Sequence, residues 1–339
     1  MIRIAVVGLG FMGKTHIGVY NQLPNVEITA LCDRNPDQVN LTSLDAGGNI
    51  EASSGSVDFS DIPKYTDFDE MLAKGGFDAV DITLPTDVHV DFTVRALKAG
   101  YHTFVEKPLA MNYESAMLIS EAVEKSGKIC SVGQCLRFWP LYTEVKKILD
   151  TRNYGAVRHA EFGRYSPPAT WIVDGWSKDS SRSGNASLDL HIHDVDMILF
   201  LFGKPQSVRS VGVPDGNGFF THISTVYQYP DVSVTSTGGW GFSPDFPFNM
   251  RALYVLDKAT IEMDISREHP VMVYPYGGSP FPLELPEGDG YQFEIIDFLK
   301  RCERGELSKI VSPSEAAESV RLTRLEIQSA NENREIKVN

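Results

Sequence analysis

The feature that most limits what this chain can fold into lies near its start. Ile2 to Val7 is a short apolar run, residues 8 to 15 read Gly-Leu-Gly-Phe-Met-Gly-Lys-Thr, and a helical pattern follows with Ile17, Tyr20 and Leu23 until Pro24-Asn25 ends it. Closely spaced glycines let a strand turn sharply into a helix, whose N-terminal N–H groups then face an anion. Gly8, Gly10 and Gly13 satisfy the GxGxxG spacing of dinucleotide-binding loops. Gly8, Gly13, Lys14 and Thr15 equally satisfy the phosphate-loop pattern GxxxxGK[ST]. The loop by itself does not separate a dehydrogenase from a nucleotide hydrolase.

The residues that follow repeat the strand–helix alternation. Val26 to Cys32 is a second apolar run that stops at Asp33, and Ala79 to Leu84 a third that ends at Pro85. Val90, Val94 and Leu97 mark a helix closed by Gly100. His102 to Val105 and Lys128 to Val132 read as two further strands around a helix from about Tyr113 to Lys125. Such alternation implies right-handed crossovers and a parallel sheet covered on both faces, with ligands bound beyond the carboxyl ends of the strands. At 339 residues the chain exceeds one ordinary core. The expected division is a doubly wound dinucleotide-binding domain over residues 1–130 and a second domain over 131–339. In that second part Val157 to Phe162 starts a strand, and His222 to Tyr229 and Val232 to Thr237 suggest an antiparallel sheet. Helices are expected near Tyr291 to Cys302 and Ser314 to Glu332.

Two residues favour the dinucleotide. Gly10 stands where a pyrophosphate must approach the backbone closely, a place where a phosphate loop has no need of glycine. Asp33 ends the second strand 20 residues after Gly13, where a carboxylate can accept from a ribose diol, although it can also hold magnesium. The flanking Phe11 and Met12 belong to the same expected cofactor surface. A carboxylate at Asp33 repels a 2′-phosphate and favours NAD over NADP. Arg34 can stack on adenine or pair with that phosphate, which keeps NADP admissible. The net charge of −14 and a pI near 5.0 argue against binding nucleic acid. Four cysteines without CxxC spacing fit reduced thiols. With no charged-then-apolar leader and no apolar run longer than stretches such as Met197 to Phe202, the expectation is a cytoplasmic protein that does not enter the membrane.

Glu106-Lys107-Pro108 directly follows the strand ending at Val105, which puts a lysine at the carboxyl edge of the sheet. There its ammonium can hydrogen-bond a reacting oxygen while Glu106 orients it; a surface Glu-Lys pair is the plain alternative. The glycine loop, Asp33, the Thr83-Leu84-Pro85-Thr86 segment with His89, Glu106-Lys107-Pro108, Gly133-Gln134 and the stretch from Asp189 through His193 to Asp196 together resemble the Gfo/Idh/MocA oxidoreductases. Inositol and sugar dehydrogenases are the nearest members in kind. The resemblance implies that Thr83, Pro85, His89, Glu106, Lys107 and Gln134 border an NAD site, that Lys107 assists catalysis, and that Asp189 and His193 complete the site. It also implies a second domain built on a large, mostly antiparallel open sheet, and a homodimer or homotetramer.

Spacing supports the last pair separately. On an α-helix Asp189, His193 and Asp196 fall at i, i+4 and i+7, on one face. A neutral His193 imidazole can take a hydroxyl proton, and Asp189 can orient it or share substrate hydroxyls. A metal site using His191, His193 and the neighbouring aspartates is disfavoured, because histidines two apart on a helix diverge by about 200°. The other alternative is a helix N-terminus capped by acids with a satisfied histidine. His191 departs from the family pattern, which often has glycine there. The polar stretch from Arg164 to Gly184, with Tyr165, Trp171, Asp174, Trp176 and Lys178, is expected to close over a polyol, Arg164 and Trp176 touching the substrate. Packing anchors would give the same aromatic content. The expected activity is NAD-dependent oxidation or reduction of a sugar or cyclic polyol, with a non-catalytic dinucleotide sensor and a phosphate-loop hydrolase as the alternatives.

Overall fold

A computed structural model describes residues 1–40, 59–170 and 172–339, and the side chains of Val173 and Asp174 also lie outside the description; Trp171 and the Asp174 side chain, expected over the substrate, therefore fall outside it. The chain resolves into two compact units that are interleaved in sequence. The first comprises Met1–Cys135, Thr170–Ser183 and Tyr291–Val320; the second comprises Leu136–Ala169, Gly184–Gly290 and Arg321–Asn339. A linear division near residue 130 groups Tyr291–Val320 with the second unit, whereas its contacts group it with the first.

The first unit is built on a six-stranded sheet of β1 (Ile2–Val7), β2 (Val26–Cys32), β3 (Lys64–Tyr65), β4 (Ala79–Ile82), β5 (His102–Val105) and β6 (Cys130–Val132), in the order β3-β2-β1-β4-β5-β6. All five pairings are parallel. The order reverses between β1 and β4, and this switch point is where an open parallel sheet leaves a crevice at its carboxyl edge. Helices between the strands begin where short polar side chains cap them. Asp67 accepts from the Glu70 N–H at 2.8 Å before Phe68–Lys74, and Asn112 from the Ser115 N–H at 2.9 Å before Tyr113–Ser126. Ile4, Val6 and Phe104 of the strands and Ile17 and Tyr20 of the loop helix form one core with Ile295, Phe298 and Leu299 of the helix Gly290–Arg304. That packing is why a segment so late in sequence belongs to the first unit.

The second unit carries a nine-stranded sheet: β7 (Val157–Tyr165), β8 (Ser207–Pro214), β9 (Phe220–Gln228), β10 (Ser233–Gly239), β11 (Asn249–Leu256), β12 (Ala259–Asp264), β13 (Val271–Pro275), β14 (Phe281–Pro282) and β15 (Ile336–Lys337). Their order is β14-β13-β12-β11-β7-β10-β9-β8-β15. Only β7 and β10 run parallel; the other seven pairings are antiparallel. Alternation in β11 and β12 sends Met250, Ala252, Tyr254, Ile261 and Met263 to a buried face. The expected fold class, a doubly wound parallel sheet followed by a mostly antiparallel one, is thus what the chain adopts. Among the described residues no helix is long and apolar enough to cross a membrane.

Candidate active site

The glycine loop divides its three glycines between two purposes. Gly8 has φ +95°, and a Cβ there would lie 2.7 Å from the Thr83 carbonyl oxygen; a Cβ on Gly13 would lie 1.9 Å from the Gly8 oxygen. These two are glycine because the chain itself leaves no room. Gly10 has φ −75° and ψ −158°, open to any residue, and its Cβ would meet nothing within 4 Å. The protein itself gives no steric reason for glycine there, and the backbone is left open to a ligand. The helix Phe11–Tyr20 starts at once, with no side-chain cap at Gly10 and no acid in its first turn, so the positive end of its dipole is left for an anion.

The same geometry corrects the phosphate-loop alternative. Gly13, Lys14 and Thr15 lie inside the helix, and the buried Thr15 hydroxyl donates to the Phe11 carbonyl at 3.0 Å. A magnesium-binding hydroxyl would have to stand at the loop's mouth.

The expected cofactor residues gather around this loop within the first unit. Asp33 follows β2, accepting from the Leu9 N–H at 2.8 Å through one oxygen and from the Asn35 N–H at 2.9 Å through the other. Each oxygen retains a lone pair for a ribose hydroxyl. Arg34 beside it is exposed, and Phe11 and Met12 are half-buried at the helix start. The Thr83 hydroxyl lies 2.6 Å from the Gly8 oxygen, tying the segment after β4 to the loop, and half-buried Pro85 continues that segment. His89 is placed differently from a ligand-facing group. It is buried, with Nδ1 2.8 Å from the Pro108 oxygen and Nε2 2.7 Å from the Leu84 oxygen. Burial pushes its pKa below the ordinary value, against the pull of those two carbonyls. His89 therefore braces two segments of the cofactor edge.

Glu106 is buried and its Oε2 accepts the Lys107 N–H at 3.0 Å; Lys107 itself is half-buried, and its bond to Pro108 is cis. A Cβ on Gly133 would come within 2.9 Å of Glu106 Oε1, so this glycine makes room for the carboxylate. Next to it Gln134 is buried, with its Nε2 lacking a protein acceptor among the described residues. An orphaned amide, an open Gly10 and an uncapped helix end are what a dinucleotide's carboxamide and phosphate chemistry would complete. Trp176 also belongs to this unit, half-buried on the turn Val173–Lys178. Arg182, a few residues on, holds the segment to Asp87 with contacts of 2.9 and 3.3 Å.

In the second unit, Asp189 lies in a π-helical turn, Ala186–Leu190, and His193 in the α-helix Ile192–Phe202 that follows it. Every residue from Ala186 to Ile198 is buried except these two. Two buried arginines hold the helix on which they stand. Arg164 of β7 grips Asp194 at 2.9 and 3.1 Å, and Arg137 grips Asp196 with two contacts of 2.8 Å. Two expectations change as a result. Arg164, expected against the substrate, is buried on Asp194 and the Tyr142 hydroxyl, and Asp196 does not share a face with Asp189 and His193. His191 points elsewhere again, its Nε2 lying 2.8 Å from Glu326 Oε2. Sequence reasoning missed His16, considered below, and both arginine pairs. The available signal was the charge within the apolar runs at Asp81, Asp194 and Asp196, since buried carboxylates require partners.

Comparison with known proteins agrees with this geometry. Residues 2–134 match a family described as oxidoreductases with an NAD-binding Rossmann fold, and residues 142–253 match the GFO/IDH/MocA C-terminal domain. The chain is 28% identical over 331 residues to a scyllo-inositol 2-dehydrogenase (NAD(+)) of Bacillus subtilis, covering 93% of this chain and 90% of that one. It is 27% identical over 294 residues to an inositol 2-dehydrogenase of Rhizobium meliloti, covering 86% and 80%. Among solved structures, a levoglucosan dehydrogenase in complex with NADH and levoglucosan superposes with a TM-score of 0.83 at 17% identity, over 99% of each chain.

Proposed function

Because this chain belongs to the Gfo/Idh/MocA family of NAD-binding oxidoreductases, we propose that it interconverts a secondary hydroxyl and a ketone on a sugar or inositol-like polyol. The observation that carries this reading is the pair Asp189 and His193, the only partly exposed residues in an otherwise buried stretch. Oxidising a carbinol removes a hydride and a proton. NAD, when bound, takes up the hydride, and the protein must manage the proton. His193, in its neutral form, accepts it from the hydroxyl. Asp189 orients the ring or accepts from a neighbouring hydroxyl, and the Lys107 ammonium donates to the reacting oxygen as charge develops there.

Gly8, Gly10, Gly13, Phe11 and Met12 hold the pyrophosphate, Asp33 the adenosine ribose, and Thr83, Pro85 and Gln134 border the rest of the dinucleotide. Trp176 lays its ring against the C–H face of the polyol. The likeness to inositol dehydrogenases over nearly the whole chain supports the substrate class.

The protein acts as a homodimer or homotetramer, joined through the open face of the nine-stranded sheet. Val211, Val213 and Val226 stand 58%, 56% and 52% exposed on that face, an unusual density of apolar side chains for strands in water. Among the described residues its four cysteines form no disulfide, in keeping with a cytoplasmic location.

The test is titration of the protein with NADH and NADPH by fluorescence, followed by a screen of inositols and aldoses for NAD reduction. Tighter binding of NADH and turnover on a polyol are expected. Dinucleotide binding without turnover on any polyol or sugar would overturn the substrate class and favour a sensor.

A further inference from the structure

Asp81 is a carboxylate in the middle of β4, a strand buried at every position. An isolated charge there would be costly, so its partners matter. Both come from the glycine-loop helix: His16 Nδ1 lies 2.8 Å from Asp81 Oδ2, and the Tyr20 hydroxyl donates to the same oxygen at 2.9 Å. The opposite ring nitrogen, His16 Nε2, lies 3.2 Å from Glu106 Oε1, close enough for charge attraction though not aligned as a hydrogen bond. Glu106 uses its other oxygen to accept the Lys107 N–H. A third acid, Glu294 on the helix Gly290–Arg304, brings a carboxylate oxygen within 4.8 Å of the His16 and Glu106 atoms. Aromatic rings also pack against the cluster: the His16 ring meets Phe104 edge-on at 5.3 Å, and Phe104 meets Phe298 at 5.5 Å, while the Cys302 thiol acts on Tyr20.

Three buried carboxylates thus surround one imidazole. A neutral ring can serve Asp81 through one nitrogen but brings no charge to Glu106, whereas an imidazolium donates to Asp81, carries its positive Nε2–H edge to Glu106 and offsets part of the negative charge. Burial opposes the charged ring, but Asp81 and then Glu106 outweigh it and raise the His16 pKa well above its ordinary value. Tyr20 is pushed up by burial and by Asp81, so it remains a donor.

We propose that His16 is a buried imidazolium that fixes the Glu106 carboxylate and, through it, the backbone of Lys107, making His16 a positioning residue for the hydrogen bond to the reacting oxygen assigned to Lys107. The proposal rests on that assignment. It links the helix that receives the cofactor phosphates to the lysine that meets the substrate oxygen, through two side chains and one backbone hydrogen bond.

The test combines nitrogen NMR of the histidine rings with kinetics of His16→Gln, Glu106→Gln and the double variant. Both His16 ring nitrogens should stay protonated well above the ordinary histidine range. In His16→Gln, kcat at saturating NAD should fall about 10–100-fold, as for other residues that orient a catalytic group, with NADH affinity little changed. The double variant should be no worse than the poorer single one.

A neutral ring that titrates near its ordinary value would overturn the proposal. So would a His16→Gln protein that keeps kcat but loses NADH affinity, which would make His16 only a support for the loop. Stoichiometric divalent metal in the purified protein, lost in His16→Gln, would show that a cation neutralises the cluster instead. If His16→Gln does not fold, the wild-type ring shifts and their response to Glu106→Gln still decide the question. If no polyol is turned over, the assignment of Lys107 fails, while the ring shifts continue to report the charge of His16.

Discussion

Substituting alanine at Gly10 and at Gly13 should have opposite consequences, although the two glycines stand three residues apart in one loop. At Gly10 the backbone is compatible with alanine and the new Cβ would meet no protein atom within 4 Å. Two small effects then compete. Alanine is a poorer N-cap than glycine by about 0.5–1 kcal/mol, while restricting the unfolded chain returns about 0.4–1 kcal/mol. They nearly cancel, and Tm should move by no more than about 2 °C. The methyl group would instead stand where the pyrophosphate passes, and NADH affinity should fall at least about tenfold, or about 1.4 kcal/mol. At Gly13 the added Cβ would lie 1.9 Å from the Gly8 oxygen and 2.9 Å from the Thr83 Oγ1 that donates to it. Neither neighbour can yield without breaking the loop, so Gly13→Ala should destabilise the protein by several kcal/mol, beyond the about 1–3 kcal/mol typical of an overpacked core. Thermal unfolding without ligand, together with NADH titration, separates the two. A Gly10→Ala protein that binds NADH like wild type would refute the reading of that glycine as a space kept for the cofactor.

Lys107→Ala should bind NADH nearly as wild type does while kcat falls at least about 100-fold, the scale of losing one donor to a developing oxyanion; unchanged turnover in a steady-state assay would remove the lysine from the chemistry. Arg137→Met leaves Asp196 buried without its guanidinium and should cost about 3–5 kcal/mol in urea unfolding, most of it recovered when Asp196→Leu is added. A cost under about 1 kcal/mol for the single variant would mean that the ion pair does not hold the helix. The raised pKa of His16 fixes a sign for stability: the folded chain holds a proton that the unfolded chain releases above about pH 6.5. The stability advantage of wild type over His16→Gln should therefore be complete below that pH and shrink as pH rises toward the raised folded value. An advantage that grows with pH would contradict the charge assigned to the ring.

The parallel half of the molecule was legible because its signals are local. Val26–Cys32 and His102–Val105 are strands with the bounds their apolar runs announce, and Gly100 and Gly127 close helices in left-handed geometry, at φ +92° and φ +64°. What escaped notice depends on distance. β3 has only two residues, Lys64 and Tyr65, too few to show any period, and exists because Leu31 and Cys32 pair with it. Tyr291–Val320 reads as an amphipathic tail of the second domain. Its place in the first unit is decided by Ile295, Phe298 and Leu299 sharing a core with Phe104 and Ile4, about two hundred and about three hundred positions away.

The substrate side shows the same limit in a sharper form. At 100° per residue an unbroken α-helix puts Asp196 within about 20° of Asp189, which is why the spacing groups three residues on one face. The π-helical turn Ala186–Leu190 inserts one extra residue, marked by the His191 N–H donating to the Ala186 oxygen five positions back at 2.9 Å. Removing that residue from the count leaves Asp189 and His193 about 60° apart, still neighbours, and carries Asp196 about 120° away from Asp189. That rotation delivers Asp196 to Arg137 in the interior while the other two remain partly exposed. No residue in Ala186–Leu190 encodes a π-turn by its own propensity. In this phase Asp194 and Asp196 reach their buried arginines, so the proposed catalytic pair stands on a helix held by ion pairs in which neither member takes part.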